Sequence, residues 1–220
     1  MKRIYVYGLL IAASLGCGTL ASVAQTRTDN TIYNGHPVAV DHSDNTRDVK
    51  AENFNEYLTG ANNDDAESCR LLAICYQHGI GTEQNIKDAF KWFGKAIAIG
   101  DDEALYDMGV IYRDGYFAQQ DYEEAAYWFR KAAQHNHPLA QLNIGRLFEE
   151  GNGVLPDLRI AAENYWRAAE QDVPEAQYRY AEMCRDGRGI PKDMKKARYW
   201  FDRAAKHNYS DAAVQAAKLK

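Results

Sequence analysis

A step of 36 residues repeats through most of this chain, and no other feature of the sequence limits the possible folds as strongly. At this step, small residues recur without a gap at Ser68, Ala104, Ala140, Ala176 and Ala212. Periods of about 20 to 50 residues are typical of solenoids, whose units are too small to bury an apolar face alone. Neighbouring units must therefore stack to form a core. We place the units at 66–101, 102–137, 138–173 and 174–209.

The first half of each unit has the pattern of an amphipathic helix. Three columns at i, i+1 and i+4 contain Leu72, Met108, Ile144 and Tyr180; Ala73, Gly109, Gly145 and Ala181; and Tyr76, Tyr112, Phe148 and Cys184. This spacing makes one apolar stripe, with a small residue where another helix comes close. We expect Gly109 and Gly145 to be buried at such contacts.

A turn and a second helix complete each unit. A glycine column suited to ending a helix is followed six residues later by an N-cap column; the two columns are Gly79, Gly115, Gly151 and Gly187, and Asn85, Asp121, Asp157 and Asp193. The second helices carry Trp92-Phe93, Trp128-Phe129 and Trp200-Phe201, whereas unit three has Asn164-Tyr165 followed by Trp166. The predicted fold is all-α: a right-handed superhelical solenoid of four helix-turn-helix repeats, with residues 210–220 as a C-terminal capping helix.

Three stretches resemble the Sel1-like repeats, relatives of the tetratricopeptide repeat: Ala104–Tyr112, Ala125–Ala133 and Gly187–Asp193. The resemblance covers about residues 66–220. Tetratricopeptide repeats proper step by 34 residues and lack the Gly-x-Gly turn, so they match less well. The resemblance implies scaffolding and adaptor roles, often in bacterial secreted or periplasmic proteins, without implying a single ligand.

The first 24 residues have the pattern of a signal peptide. Lys2 and Arg3 precede an apolar stretch that is too short for a membrane span, and small residues follow it up to Ala24. We expect cleavage after Ala24, a periplasmic or secreted protein, and no integral membrane span in the mature chain. A second interpretation makes Cys17 a lipidated first residue, although Ser14 stands where that motif has an aliphatic residue.

Residues 25–65 do not join the repeat. Thr26–Asp48 is polar and predicts an extended or mobile tail, whereas Phe54, Tyr57 and Leu58 have helical spacing and predict a helix that covers unit one. Beyond the signal peptide there are three cysteines, an odd number. We interpret all three as small apolar core residues; they are Cys69, Cys75 and Cys184.

The sequence contains no convincing catalytic motif. Ser-x-x-Lys, His-Glu-x-x-His and the P-loop are all missing, so we predict neither an enzyme nor a cofactor. His135 and His137 could hold a metal with a third ligand, but no carboxylate or cysteine stands beside them in the sequence. The alternative function is a cell-wall-associated enzyme or β-lactam-binding protein, which some relatives suggest by resemblance alone.

A protein or peptide is the predicted partner. The net charge of −5 offers no excess of basic residues for nucleic acid. By analogy with tetratricopeptide repeats, positions 2, 5, 9, 12 and 13 of each unit line a concave groove. Seven residues at these positions are of types that interfaces favour: Arg70, Tyr106, Arg113, Leu142, Arg146, Tyr178 and Arg185. We expect their side chains to be solvated in a free monomer and to bind the partner. A narrower hypothesis makes the partner a toxin, as for immunity proteins built on such repeats.

Overall fold

The computed structural model describes residues 32–33, 36–37, 49–115 and 119–219. The chain divides into two units, Met1–His42 and Ser43–Lys220. Within the first, strands β1 (Ile32–Tyr33) and β2 (His36–Pro37) pair antiparallel, with Ile32 opposite Pro37. The predicted signal peptide, Cys17 and most of the predicted tail lie outside the described residues.

The second unit is helical where it is described, and the predicted fold class is confirmed. A 3₁₀ turn at Ala51–Asn53 leads into α1, Phe54–Asn62. The four repeats then hold α2 (Ala66–His78) with α3 (Ile86–Ile99), α4 (Asp102–Asp114) with α5 (Tyr122–Gln134), α6 (Pro138–Glu150) with α7 (Leu158–Glu170), and α8 (Pro174–Asp186) with α9 (Met194–Lys206). Helix α10, Ala212–Lys218, packs on α9.

Helix ends lie where the glycine and N-cap columns predict them. The C-cap glycines of α2, α4, α6 and α8 all adopt the left-handed conformation, with φ between 65° and 74°, which a residue with a Cβ enters only at a cost. Each second helix begins at an Asn or Asp whose side chain accepts a backbone N–H of the first turn. Local sequence therefore fixes the length of each helix, and the nearly equal lengths of 13 or 14 residues allow the hairpins to stack.

The small-residue column is confirmed as a line of close helix contacts. A Cβ added at Gly109 would lie 2.5 Å from Cδ1 of Phe129, and one added at Gly145 would lie 2.6 Å from Cδ1 of Tyr165. Both rings are fully buried. Glycine at these two positions lets the aromatic residue of the second helix reach the first helix of its own unit.

Both ends of the stack are covered. Tyr57 and Ala61 of α1 are buried in the cluster that contains Leu72, and Ala212 and Ala216 of α10 are buried in the cluster of unit four. The three cysteines are buried and free, as a role in the core predicts. Within the described ranges, no helix is both long enough and apolar enough to cross a membrane.

Candidate functional site

Three of the seven predicted partner-binding residues are buried, so the expectation that they are solvated is wrong. Tyr106 is 3% exposed, Leu142 2% and Tyr178 5%. The ring of Tyr106 stacks on His137 at 4.5 Å and lies 5.7 Å from Phe129. Tyr106 therefore closes the junction between units two and three.

Tyr178 has the same role at the last junction, between unit four and α10. Its ring packs edge-on against Phe201 at 5.1 Å, and its hydroxyl donates to Asp211 Oδ1 at 2.7 Å. Burial, with the carboxylate of Asp211 beside it, raises the pKa of Tyr178 well above its usual range. The sequence contains a signal for the burial of these side chains. The fifth position of units two to four is Tyr, Leu and Tyr, which is the composition of a core column.

Each unit also contributes one arginine that reaches the next unit along. Arg70 Nη1 lies 3.8 Å from Asp107 Oδ2 on α4, and Arg113 Nη1 donates to Asn143 Oδ1 on α6 at 2.8 Å. These contacts hold two arginine side chains across the first two junctions.

The two remaining arginines continue the same arrangement. Arg146 forms an ion pair with Glu175, and Arg185 Nη1 lies 3.3 Å from Gln215 Oε1 while its Nε donates to Asp186 at 2.7 Å. The four arginine side chains are between 13% and 26% exposed. They are held in place by the fold and still reach the surface.

We define the first-helix face as these four arginines with the exposed residues that end α2, α6 and α8, which are His78, Glu150 and Asp186. On this surface, basic groups stand beside acidic ones in a fixed order. Such an arrangement can hydrogen-bond a partner that carries complementary polar groups.

A buried polar cluster supports this face between units three and four. The side chain of Glu149 is 3% exposed, accepts a hydrogen bond from the Tyr165 hydroxyl at 2.6 Å, and lies 2.9 Å from Arg188 Nη1. Burial, followed by the negative charge of Glu149, raises the pKa of Tyr165 well above its usual range. The hydroxyl therefore stays protonated and keeps donating at any ordinary pH.

The sequence places no carboxylate beside His135 or His137, but in the folded chain each of these histidines lies next to one. His135 Nδ1 lies 2.7 Å from Asp102 Oδ1, and His137 Nε2 lies 3.2 Å from Glu103 Oε2. The other ring nitrogen of His137 accepts the Ala140 N–H at 3.2 Å, so Nε2 carries the proton that points at Glu103. His137 therefore caps α6 at the junction of units two and three, whereas the His135 contact lies within unit two. In the part of the chain that the structure describes, no three potential metal ligands converge.

Comparison with known protein families identifies the type of repeat. The Sel1 repeat family matches residues 66–101, 102–137, 138–173 and 174–209. No curated protein sequence matches the chain.

Two solved structures are similar in both sequence and fold. A Sel1 repeat protein from Oxalobacter formigenes is 30% identical with a TM-score of 0.73, and the match covers 78% of this chain and 50% of that one. The protective antigen c5321 of uropathogenic Escherichia coli, which displays an SLR fold, is 32% identical with a TM-score of 0.67. That match covers 70% of this chain and 33% of the antigen. The chain therefore spans only half or less of the two proteins.

Immunity protein Pa5087 from Pseudomonas aeruginosa is more distant, at 19% identity and a TM-score of 0.47, which is too low to support an inference about partners. The match covers 70% of this chain and 57% of the immunity protein.

Sel1 repeat proteins generally mediate protein–protein interactions. With four matched repeats across most of its length, the chain belongs to the Sel1 repeat family.

Proposed function

We propose that the protein is an exported protein-interaction module that binds a protein partner on its first-helix face. The observation that carries the proposal is the fixed row of arginines. Each guanidinium is already held by a group of the next unit, so little side-chain entropy is lost when a partner docks. Arginine is also among the residues that contribute most to binding energy at interfaces.

The charge pattern favours a folded or peptide partner with both signs of charge on its surface. Asp186 and Glu150 stand at the same edge as the arginines, so a uniformly acidic ligand would be repelled there. The face thus selects for a matched arrangement of charges rather than for net charge. This agrees with the expectation from the sequence that nucleic acid is not the partner.

Site-directed photo-crosslinking in the producing cells tests the proposal. A photoreactive phenylalanine would replace His78, Glu150 or Asp186 on the first-helix face, and Lys87 or Arg198 on exposed parts of the second helices as matched controls. We expect one and the same protein to crosslink from the first-helix positions and not from the controls. Adducts from the second-helix positions alone, or none from any position, would overturn the proposal.

Export is the second part of the proposal, and it rests on residues 1–24. We expect osmotic shock without detergent to release a chain whose N-terminus is Gln25. A chain that stays with the membrane until detergent is added, and begins at a modified Cys17, would support the lipoprotein interpretation instead. A full-length chain in the cytoplasm would contradict export altogether.

Two experiments separate the remaining alternatives. Incubation with a labelled penicillin followed by mass spectrometry tests the β-lactam-binding alternative, and we expect no acyl adduct because the chain lacks Ser-x-x-Lys. If the crosslinked partner is a toxin, its toxicity should be lost when this protein is added in equal amount. A partner without toxicity would eliminate the immunity version and leave the interaction module.

A further inference from the structure

The tryptophan column of the repeat is broken at one position. Trp92, Trp128 and Trp200 occupy equivalent places in units one, two and four, and Asn164 stands there in unit three. Trp92 is 8% exposed and Trp200 is 4% exposed. Trp92 belongs to the core cluster that contains Leu72, half-buried Trp128 packs against the same cluster, and Trp200 belongs to the core cluster of unit four.

The environment of each indole follows one plan. The ring of Trp200 packs edge-on against Tyr180 of α8, with ring centres 5.8 Å apart, and the guanidinium of Arg203 lies 5.0 Å above it. In units one and two a lysine three residues after the tryptophan takes the place of the arginine: Lys95 and Lys131 stand 5.2 Å and 5.3 Å over their rings. Each indole thus packs against apolar residues of the core and has a cation over its ring.

In unit three the same place is a cavity of about 340 Å³. It lies between α5, α6 and α7, and its apolar lining residues are Ala133, Ile144, Phe148 and Ile160. Asn164 Nδ2 donates to the Ile160 carbonyl oxygen at 2.9 Å, so this side chain is bonded to its own helix instead of replacing the indole.

The neighbouring tryptophan does not fill the space. Trp166 is 43% exposed and its Nε1 lies 3.1 Å from Glu170 Oε1, one turn further along α7. The cation, by contrast, is retained: Arg167 lines the cavity at the position equivalent to Lys131 and Arg203, and it pairs with Glu163 at 2.6 Å. Unit three therefore keeps the wall and the cation of an indole site but lacks the indole.

We propose that this cavity binds the side chain of a tryptophan supplied by a partner protein. The apolar walls match an indole because their counterparts in the other units already hold one, and Arg167 offers the cation that each of the other indoles has over its face. The cavity opens between exposed residues of α5 and α7, so an incoming side chain can reach it. The site is separate from the first-helix face, and either can fail without the other.

The test uses N-acetyl-tryptophanamide as the probe and the δ-methyl NMR signals of Ile144 and Ile160 in the whole protein as the readout. For a ligand of this size we expect a dissociation constant on the order of 1 mM, with both signals shifting together. No shift of these signals at about 10 mM probe, several times that constant, would overturn the proposal.

Substitutions at the cavity provide the controls. Asn164→Trp should restore the repeat, raise the melting temperature and abolish the probe-induced shifts; Asn164→Phe is the smaller filler if the first variant folds poorly. Asn164→Ala leaves the cavity open and should still bind. Arg167→Met keeps the volume but removes the cation, and should weaken binding about twofold to fivefold. Shifts that persist in both filled variants would place the probe elsewhere and contradict the assignment.

A short peptide with one central tryptophan distinguishes a partner's side chain from a free aromatic molecule. We expect this peptide to shift the same two methyl signals, and the same peptide with leucine in place of tryptophan to shift neither. If the probe binds but the tryptophan peptide does not, a protein side chain cannot be the occupant and the proposal is wrong.

Discussion

At the residue scale, the fold depends on a few positions where one added side-chain atom would overlap a neighbouring side chain. The repeat places glycine at Gly109 and Gly145 because the aromatic rings of the second helices occupy the space of a side chain there. It places arginines where the next unit supplies a carboxylate or an amide. The first kind of position is visible in a single sequence, because the small-residue column repeats. The second depends on contacts between units.

The close helix contacts predict a specific cost for the smallest substitution. Gly109→Ala should destabilise the protein by about 1–3 kcal/mol, since its Cβ would meet the buried ring of Phe129. Gly94→Ala is the matched control: this glycine also lies within a helix, but an added Cβ meets nothing within 4 Å, so we expect about 0.5–1 kcal/mol of stabilisation. Urea unfolding midpoints measure both. Equal midpoints for the two variants would show that the contact is absent.

The buried thiols predict protection from alkylation. Burial raises the pKa of Cys75 to about 11, and it also raises the pKa of Cys69 and of Cys184. Because the thiolate is the reactive form, Cys75 in the native protein should react with iodoacetamide at pH 8 at least about a hundredfold more slowly than an exposed thiol. Ala98→Cys supplies that exposed thiol on α3. Peptide mapping reads each site, and rapid native labelling of Cys75 would contradict its burial.

At the element scale, neighbouring hairpins are joined by polar bridges as well as by apolar contacts. Arg146 of α6 pairs with Glu175 of α8, and both side chains are at most 15% exposed. Removing one partner of such a pair leaves a charge with less compensation. Arg146→Ala should therefore cost about 3 kcal/mol of stability, whereas Arg198→Ala, which breaks an exposed pair within α9, should cost about 0.5 kcal/mol or less. Calorimetry on the two variants tests this, and equal costs would rule out a structural role for the bridge.

The bridge from His137 to Glu103 predicts a dependence on pH. The hydrogen bond from His137 lowers the pKa of Glu103. The pair therefore stabilises the fold fully above about pH 4.3, the ordinary pKa of a glutamate. This contribution to stability is lost as the pH falls through the lowered pKa of Glu103. The difference in melting temperature between wild type and Glu103→Ala should thus be larger at pH 5.5 than at pH 3. Glu67→Ala, at the equivalent exposed position of unit one, controls for the general effect of removing a glutamate. A difference that stays constant with pH would exclude the bridge.

At the scale of the whole molecule, the repeat frame and its helix ends could be predicted because each depends on residues close together in sequence. The glycine C-caps and the Asn or Asp N-caps are examples. The surface could not be predicted as well, because Arg113 meets Asn143, and Tyr106 meets His137, only in the folded stack and across about 30 residues of sequence. The analogy with tetratricopeptide repeats assigned Tyr106, Leu142 and Tyr178 to a groove, but in this chain they close the junctions between units. Whether the seven residues bind a partner stays a prediction.

The central claim is that the first-helix face binds a protein, and the affinity of the crosslinked partner for two arginine variants tests it most directly. Arg185 is 26% exposed on that face, and Arg198 is 50% exposed on the second helix of the same unit. By titration calorimetry, Arg185→Ala should weaken binding about fivefold to a hundredfold, corresponding to about 1–3 kcal/mol, while Arg198→Ala leaves the affinity unchanged. A partner whose affinity is unaffected by Arg185→Ala but falls with Arg198→Ala would contradict the account.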